Sequence, residues 1–490
     1  MGDDSVPGDR YCPDDGSAVT GATSTSHGGG EESRKVIAVG SKGDIVLDVT
    51  FETSSSTLRK SRKEALAAAR KAGSAAAAVA VPDLKPKVKV AYRVSLEALK
   101  KHSNYFANLL SNPHFREAKL IADAHERIKA RGTRPAEADV RDLPWITIAD
   151  DDEATKAAGR EHVFEDMLRI IHQEPPKVPR VTMPYLATLA ITADRFDCTT
   201  VVSHCLNKEL KSKWPVTSNR PMRDDAGRPT DVEQVLRQKI LVSWLLGQPL
   251  RLHHATRELI MRGSSRWSTF YDAGDSETMT AAWWSLPDGL EHELQYRREC
   301  ILDAISSVQR HFLRLYSSRE RQCKLGYDSS AACDSFQLGQ LLRFLMSKDL
   351  LFLVDFSPSS LESVPDTTST VDIHELLATL RQCPSYQVDK HHANCGPRIR
   401  VEPVLDFIRA MLSANAVSVS LADWKRRRED VSWEAAAPAA EERDGDEGRT
   451  FKFTRALSND QRLRMEGAIW VDRMATKFFT AGSWDWTPEA

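Results

Sequence analysis

Long apolar runs are missing from this chain. No uncharged apolar stretch reaches the roughly 18–20 residues that a membrane-spanning helix needs. The run at residues 350–354 is short and is bracketed by Asp349 and Asp355. Charge of one sign is missing too: 67 Lys and Arg stand against 69 Asp and Glu, a formal net charge of −2. That balance excludes a global field drawing the protein to nucleic acid or an anionic membrane, although a local patch stays open. Cysteine is scarce, eight in 490 residues and irregularly spaced, which excludes a secreted disulfide framework. There is no Asn-x-Ser/Thr sequon, and the opening MGDDSVPGDRYCPDDG has neither a basic n-region nor an apolar h-region. These absences point to a reducing, intracellular compartment, cytoplasmic or nuclear.

Catalytic signatures are also lacking. The chain has no GxxxxGK[ST], no HExxH and no GxSxG, so phosphate loops, zincin helices and nucleophile elbows have no sequence support. His374-Glu375 sits in HELLA, where Ala378 stands in place of the second metal-binding His. The adjacent pairs His253-His254 and His391-His392 are the candidate acid–base groups, and Cys323 would need a neighbouring base to act as a nucleophile. A non-enzymatic protein is expected. No zinc-finger or homeodomain pattern offers a docking element for DNA. The basic run KRRR (residues 425–428) is followed at once by Glu429 and Asp430, which reads as a solvated helix face before a nuclear import signal.

What is present is ordinary globular composition, 41% hydrophobic and 28% charged, enough to bury substantial cores. Residues 1–41 are rich in Gly, Ser, Thr and Asp and read as a disordered tail. GDIVLDVTF (43–51) places Ile45, Leu47 and Val49 on one strand face. Residues 58–81 begin basic and turn to Ala, an insertion that is flexible or loosely helical. In VKVAYRVSLEALKKHSNYFANLL (88–110) the apolar period is two as far as Val94. Beyond it Leu96, Leu99, Phe106, Leu109 and Leu110 share a helical face. No Gly or Pro marks the change; Ser95 is expected to do so as an N-cap. A polar insertion (117–142) precedes the strand PWITIAD, then the helix HVFEDMLRIIH ended by PPKVP, then two short helices in residues 185–210.

Beyond residue 216 the pattern is mainly helical. Thr230 and Glu233 stand in capping-box spacing. Leu290, Leu294, Ile301, Ile305, Val308, Phe312 and Leu315 step along one long helix. Residues 435–449 are low-complexity linker. Residues 450–490 carry Leu463, Ile469, Trp470, Met474 and Phe478 as a helix expected to dock back on a domain. Trp283-Trp284 and Trp484-x-Trp486 are read as aromatic pins on a core. The expected fold class is α+β, a small sheet with helices followed by a mainly α-helical region at 216–434.

GDIVLDV, LKKHSNYFANLL, WITIADDD, VFEDMLRIIH and the TADRFDCTTVV segment, in that order, resemble a BTB/POZ domain over about residues 42–215, with insertions near 55–86 and 117–142. The match rests on Asp44, Leu99, the Ser103-Asn104-Tyr105-Phe106 group, Ala193, Asp194 and Phe196. It departs at Ser95, where many members carry a His beside the Asp. The segments SVQRHFLRLYSSRERQCKLGYDSSAACDSFQLGQ and PSYQVDKHHANCGPRIRVEPVLDFI resemble the long BTB proteins of filamentous fungi. The resemblance implies protein–protein interaction and self-association as a homodimer, with Leu96, Leu99, Tyr105, Phe106 and Leu109 as candidate contacts. It also raises recruitment of a cullin scaffold, through a hydrophobic-x-acidic motif read here as Phe164 and Asp166, with Asp in place of the usual Glu.

One constellation remains. Cys323, Cys333, Cys383, His391, His392 and Cys395 lie close in sequence. Zn²⁺ favours four thiolate or imidazole ligands in a closed tetrahedron. His392 and Cys395 form an H-x₂-C pair, and Cys323 with Cys333 would supply the other half. A structural Cys₃His zinc site is therefore expected from Cys323, Cys333, His392 and Cys395, with His391 or Cys383 as substitutes. Against it stands the reading of these thiols as small buried hydrophobes.

Overall fold

The computed structural model describes residues 36–71, 84–178, 181–208, 214–223, 230–265, 267, 281–323, 325, 328–351, 371–436, 450–452 and 467–486. A four-stranded sheet leads the chain: β1 (Val36–Ala38), β2 (Ile45–Glu52), β3 (Lys87–Val94) and β4 (Trp145–Asp151), in the order β1-β3-β2-β4. β2 and β3 pair antiparallel from Ile45↔Val94 to Glu52↔Lys87, while β1 on β3 and β4 on β2 are parallel. Ile45, Leu47, Val49 and Phe51 belong to one core, as the period of two requires, and Val46 faces a second cluster with Ala91, Ile128, Ala138 and Leu143.

The strand-to-helix change occurs where expected. Ser95 caps α2 (Leu96–His102), its hydroxyl accepting from the Ala98 N–H. Asp44 Oδ1 takes a further free donor of the first turn, the Leu96 N–H, at 2.7 Å. A His from another element reaches the Ser95 backbone. His172 Nε2 accepts the Ser95 N–H at 2.9 Å, and its Nδ1 donates to the Leu168 carbonyl at 2.7 Å. Gly40, at φ +81°, lies so close that a Cβ there would sit 3.0 Å from the His172 ring. Ser103 repeats the capping device for α3 (Asn104–Ser111).

Two expectations need correction, and between them the helical alternative for the first insertion becomes definite. The tail does not extend to residue 41, because β1 lies in the sheet and Val39 is fully buried; residues 1–35 lie outside the described residues. Much of the first insertion is α1 (Ser55–Lys71), which buries Thr57 and Leu58, while residues 72–83 lie outside the described ones. The second insertion is not a polar excursion. Its helix α4 (Arg116–Ala130) buries Ala118, Ile121, Ala124 and Ile128 and supplies Ile128 to the second face of the sheet. Alternating charged residues masked that stripe.

The helices α5 (Arg160–Ile171), α6 (Met183–Arg195) and α7 (Thr199–Lys208) complete the α+β region. The boundary drawn at residue 215 does not separate two bodies: residues 36–490 form one compact unit. α8 (Val232–Leu245) is the joint. It gives Leu236 and Ile240 to the helical core and Leu241 and Val242 to the α+β core. It also buries Glu233, Arg237, Gln238 and Lys239, polar groups that must find partners inside. The capping box does not form at its start: Glu233 is turned inward, accepting from the Ser265 N–H and facing Arg237.

The remaining helices are α9 (Pro249–Arg262), α10 (Leu290–Ser317), α11 (Ser330–Ser347), α12 (Ile373–Leu380), α13 (Arg398–Leu412), α14 (Leu421–Arg426), α15 (Arg428–Val431), α16 (Trp433–Ala436) and α17 (Gly467–Phe479). β5 (Thr450–Lys452) pairs with β6 (Ser483–Asp485) in parallel. α17 docks as expected, with Ala475, Phe478 and Phe479 in the helical core. Trp486 pins the end, its indole N–H donating to Ser307 Oγ at 2.8 Å. Leu463 and linker residues 437–449 lie outside the described residues. Among the described residues no helix is long and apolar enough to cross a membrane.

Candidate metal centre

Cys323, Cys333, His392 and Cys395 converge, with their ligand atoms all within 4.8 Å of one another and all four residues buried. Cys323 Sγ lies 3.4 Å from His392 Nδ1 and 3.7 Å from Cys395 Sγ. Such a separation is far beyond a disulfide bond, and the thiols are free. The three sulfurs form a cluster of their own, apart from the large apolar cores. This buried Cys₃His set is suited to hold a metal ion.

Each ligand has an evident support. Cys323 lies in the loop leaving α10, Cys333 in the first turn of α11, and His392 and Cys395 in the loop between α12 and α13. A thiol in a helix's first turn faces the positive end of the helix dipole. Asp389 Oδ1 accepts the N–H groups of His391 and His392 at 2.7 and 3.1 Å, folding the loop that presents the imidazole. Asn394 takes the left-handed conformation (φ 64°) and turns the chain from His392 to Cys395. Ser329 Oγ lies 3.2 Å from His392 Nε2. With Nε2–H donated there, Nδ1 is the free nitrogen and points at the sulfurs.

A further ring of contacts ties three helices to the cluster. Tyr316, near the end of α10, donates to the Cys395 carbonyl at 2.8 Å. Arg400 of α13 lies against the Tyr316 ring and bonds both carbonyl oxygens of Gln322. Asp334 of α11 accepts the Gln322 N–H at 2.8 Å.

The electrostatics suit a cation. Burial pushes the Cys333 thiol up, to about 12, with the neighbouring Cys323 and Cys395 adding to it. Burial also opposes ionisation of Cys323. There, hydrogen bonds from the Leu325 N–H, Ser330, Cys395 and Cys333 outweigh it and hold that thiol below its usual value. Without a cation, burial opposes a thiolate at Cys323 and at Cys333, two of the three sulfurs. A metal ion supplies the charge that stabilises all three, with release of protons on binding.

The substitutes drop out. Cys383 is buried in the large helical core, its thiol pushed up to about 11 by burial, and His391 is exposed. His253 lies at a separate cleft of about 790 Å³ with Ser418, Arg473 and Lys477. The Ser418 hydroxyl donates to the Asn415 carbonyl at 2.8 Å, so it accepts from the His253 ring, 2.7 Å away at Nδ1. That direction is opposite to a nucleophile giving its proton to a base.

The candidate contact residues divide. Leu99 and Phe106 are fully buried and serve the core, whereas Leu96 and Leu109 are half-buried and Tyr105 is exposed. Phe164 and Asp166 are each about 1% exposed. Phe164 packs against Phe51, Tyr92 and Phe196, and Asp166 accepts from the Tyr185 hydroxyl and the Lys177 N–H. The expected surface motif is therefore a core element. The sequence reading missed Tyr316, Gln322, Ser329, Asp389 and Arg400. The spacing of Asp389 before His392 was the one available signal; the others act from separate elements.

No protein-family model, no curated protein and no solved structure matches this chain.

Proposed function

We propose that this protein is a non-catalytic interaction scaffold, in which a BTB/POZ-like module is joined to a helical region stapled by a structural zinc ion. The order of elements supports the module: after β1, the antiparallel pair β2 and β3 with α1 between them, then α2 to α4, β4 parallel to β2, α5, and the pair α6 and α7. Its α2–α3 surface, with Leu96, Tyr105 and Leu109, is the face available for pairing with a second copy.

The observation that carries the zinc is the spacing of the donors. Arms of about 2.3 Å to sulfur and about 2.0–2.1 Å to nitrogen put tetrahedral S···S and S···N pairs at about 3.8 and about 3.5 Å. In the cluster, Cys323 stands 3.7 Å from Cys395 Sγ and 3.4 Å from His392 Nδ1, and all donor pairs lie within 4.8 Å. Four buried protein ligands leave no position for water or substrate, which favours a structural role. Elemental analysis of protein purified without chelators or affinity-tag metals is expected to give about one zinc per chain, falling sharply in Cys395→Ser. Less than half an equivalent in the parent rejects the site. Recovery of an untagged copy with a tagged one, reduced in Tyr105→Glu, tests self-association.

A further inference from the structure

Where the α+β and helical regions meet, the end of β4, the end of α6, the middle of α8 and residues 281–287 line a cleft of about 830 Å³, a volume typical of ligand sites. Ile191, Leu241, Leu245 and Ala281 give it an apolar floor. One wall is tied down by the Ala282 N–H, which donates to the Ala154 carbonyl at 2.9 Å.

The polar part of the lining is acidic: Asp150, Asp151, Glu153 and Asp194 against a single cation, Arg195. Arg195 is already committed, 2.9 Å from Asp150 Oδ1 and 3.7 Å from Asp151 Oδ2. Glu153 and Asp194 make no ion pair among the described residues. Burial, then the nearby Asp197, pushes the Asp194 carboxyl up, opposed by Lys425. Lys425 itself lies over the Trp244 ring at 4.6 Å.

A second observation is independent of the carboxylates. Thr155 lines the same cleft, is 5% exposed, and its hydroxyl has no hydrogen-bond partner among the described residues. Leaving a buried hydroxyl unpaired is unfavourable, a cost that a ligand group reaching it removes. Asp150 is also paired with Arg160, at 2.7 Å, so the charge open to a ligand is that of Glu153 and Asp194. Above an apolar floor it suits a side chain with an aliphatic stem and a cationic head.

We propose that this cleft receives a Lys- or Arg-bearing apolar segment of a partner protein, with its cation among the carboxylates and its stem on Leu241 and Leu245. The inference rests on the scaffold reading, but on neither the zinc nor self-association. Selection of a displayed random peptide library on the full chain is expected to enrich peptides with Lys or Arg beside aliphatic residues. Fluorescence polarisation with the strongest such peptide should show at least about tenfold weaker binding to a Glu153→Gln/Asp194→Asn variant. Affinity should also fall as salt rises. Thr155→Val should raise the melting temperature of the free protein while weakening the peptide severalfold. No basic consensus, or equal affinity for the double variant, overturns the proposal. Zinc content and self-association measured on the same preparations separate that failure from failure of the scaffold reading.

Discussion

In the α+β half, aromatic rings meet where elements cross: Phe164 touches Phe51, Tyr92 and Phe196, and Phe106 stacks on Phe196 at 5.4 Å. The helical half has such rings too, at Phe407, Phe478 and Trp433, but it buries more guanidinium groups than the α+β half, where Arg160 is the counterpart. Arg237, Arg297 and Arg298 are each no more than 2% exposed. Arg297 pairs with Glu293 and donates to the carbonyls of Ala416, Ser418 and Val431. Arg298 donates to the Ile260 and Met261 carbonyls, in the last turn of α9. The difference follows from what each half must bury. Sheet and helix faces leave few unpaired backbone groups inside, so one buried guanidinium, Arg160 on the Glu52, Asp150 and Ala157 carbonyls, serves the α+β half. Short, irregular segments such as residues 413–420 and 427–433 carry free carbonyls into the interior, and each needs a donor. Arg supplies five N–H groups in one fixed fork.

The comparison breaks first at its two centres. Phe164→Ala is expected to cost about 3–5 kcal/mol, through lost burial and the cavity left behind. Arg297→Met should cost a similar amount, about 3–5 kcal/mol, because Glu293 is left buried without its partner. Urea unfolding measures both, and hydrogen exchange separates them. Phe164→Ala should release protection in β2, β3 and α5 first, and Arg297→Met in α10 and the segment 413–433. Equal loss everywhere would mean that α8, shared by both cores, couples the halves into one cooperative unit, and the contrast would then be one of chemistry alone. Either way Phe164→Ala reports folding, so it is unsuitable as a selective probe of a surface motif.

Ser95→Ala is a smaller cut, about 1 kcal/mol for a lost N-cap, read as a shift of the urea midpoint with unchanged slope. The smallest expected effect is a pH dependence of the α+β half. Burial, and the charge of His102, hold the His172 ring below its ordinary pKa of 6.5. The unfolded chain then binds the proton more readily than the folded one. Stability contributed by neutral His172 is therefore present above about pH 6.5 and is lost as pH falls through the lower folded value. A charged ring also puts a proton on Nε2 against the Ser95 N–H. His172→Gln should flatten this acid limb in urea titrations across pH 5–7. An unchanged limb would assign it to other groups.

Legibility in the sequence followed how local each signal is. The period of two up to Val94, the cap at Ser95 and the 3.6-period stripe of α10 involve neighbours in the chain, and the structure keeps them. β1 was lost because three residues carry no readable period. α4 was lost because Lys, Glu and Arg interleave its narrow stripe. The expected capping box failed because Glu233 had a stronger interior role beside Arg237 than at the helix start. At the metal centre the donor types and the H-x₂-C pair were legible, since chemistry and short spacing define them. The supports from Tyr316, Arg400 and Asp334 were not, since they come from three helices.

By itself, then, the sequence determined the longer strands and the helices with clear stripes, their order, and a set of six Cys and His residues that offers the donors of a site. These depend on backbone propensity, periodicity and donor chemistry, all of which act within a few residues. The tertiary structure decided which four of the six converge, why Cys383 joins the apolar core instead, and that Phe164 and Asp166 face inward. Those outcomes depend on which helix faces meet across long sequence separations, where burial and hydrogen-bond satisfaction outweigh local preference.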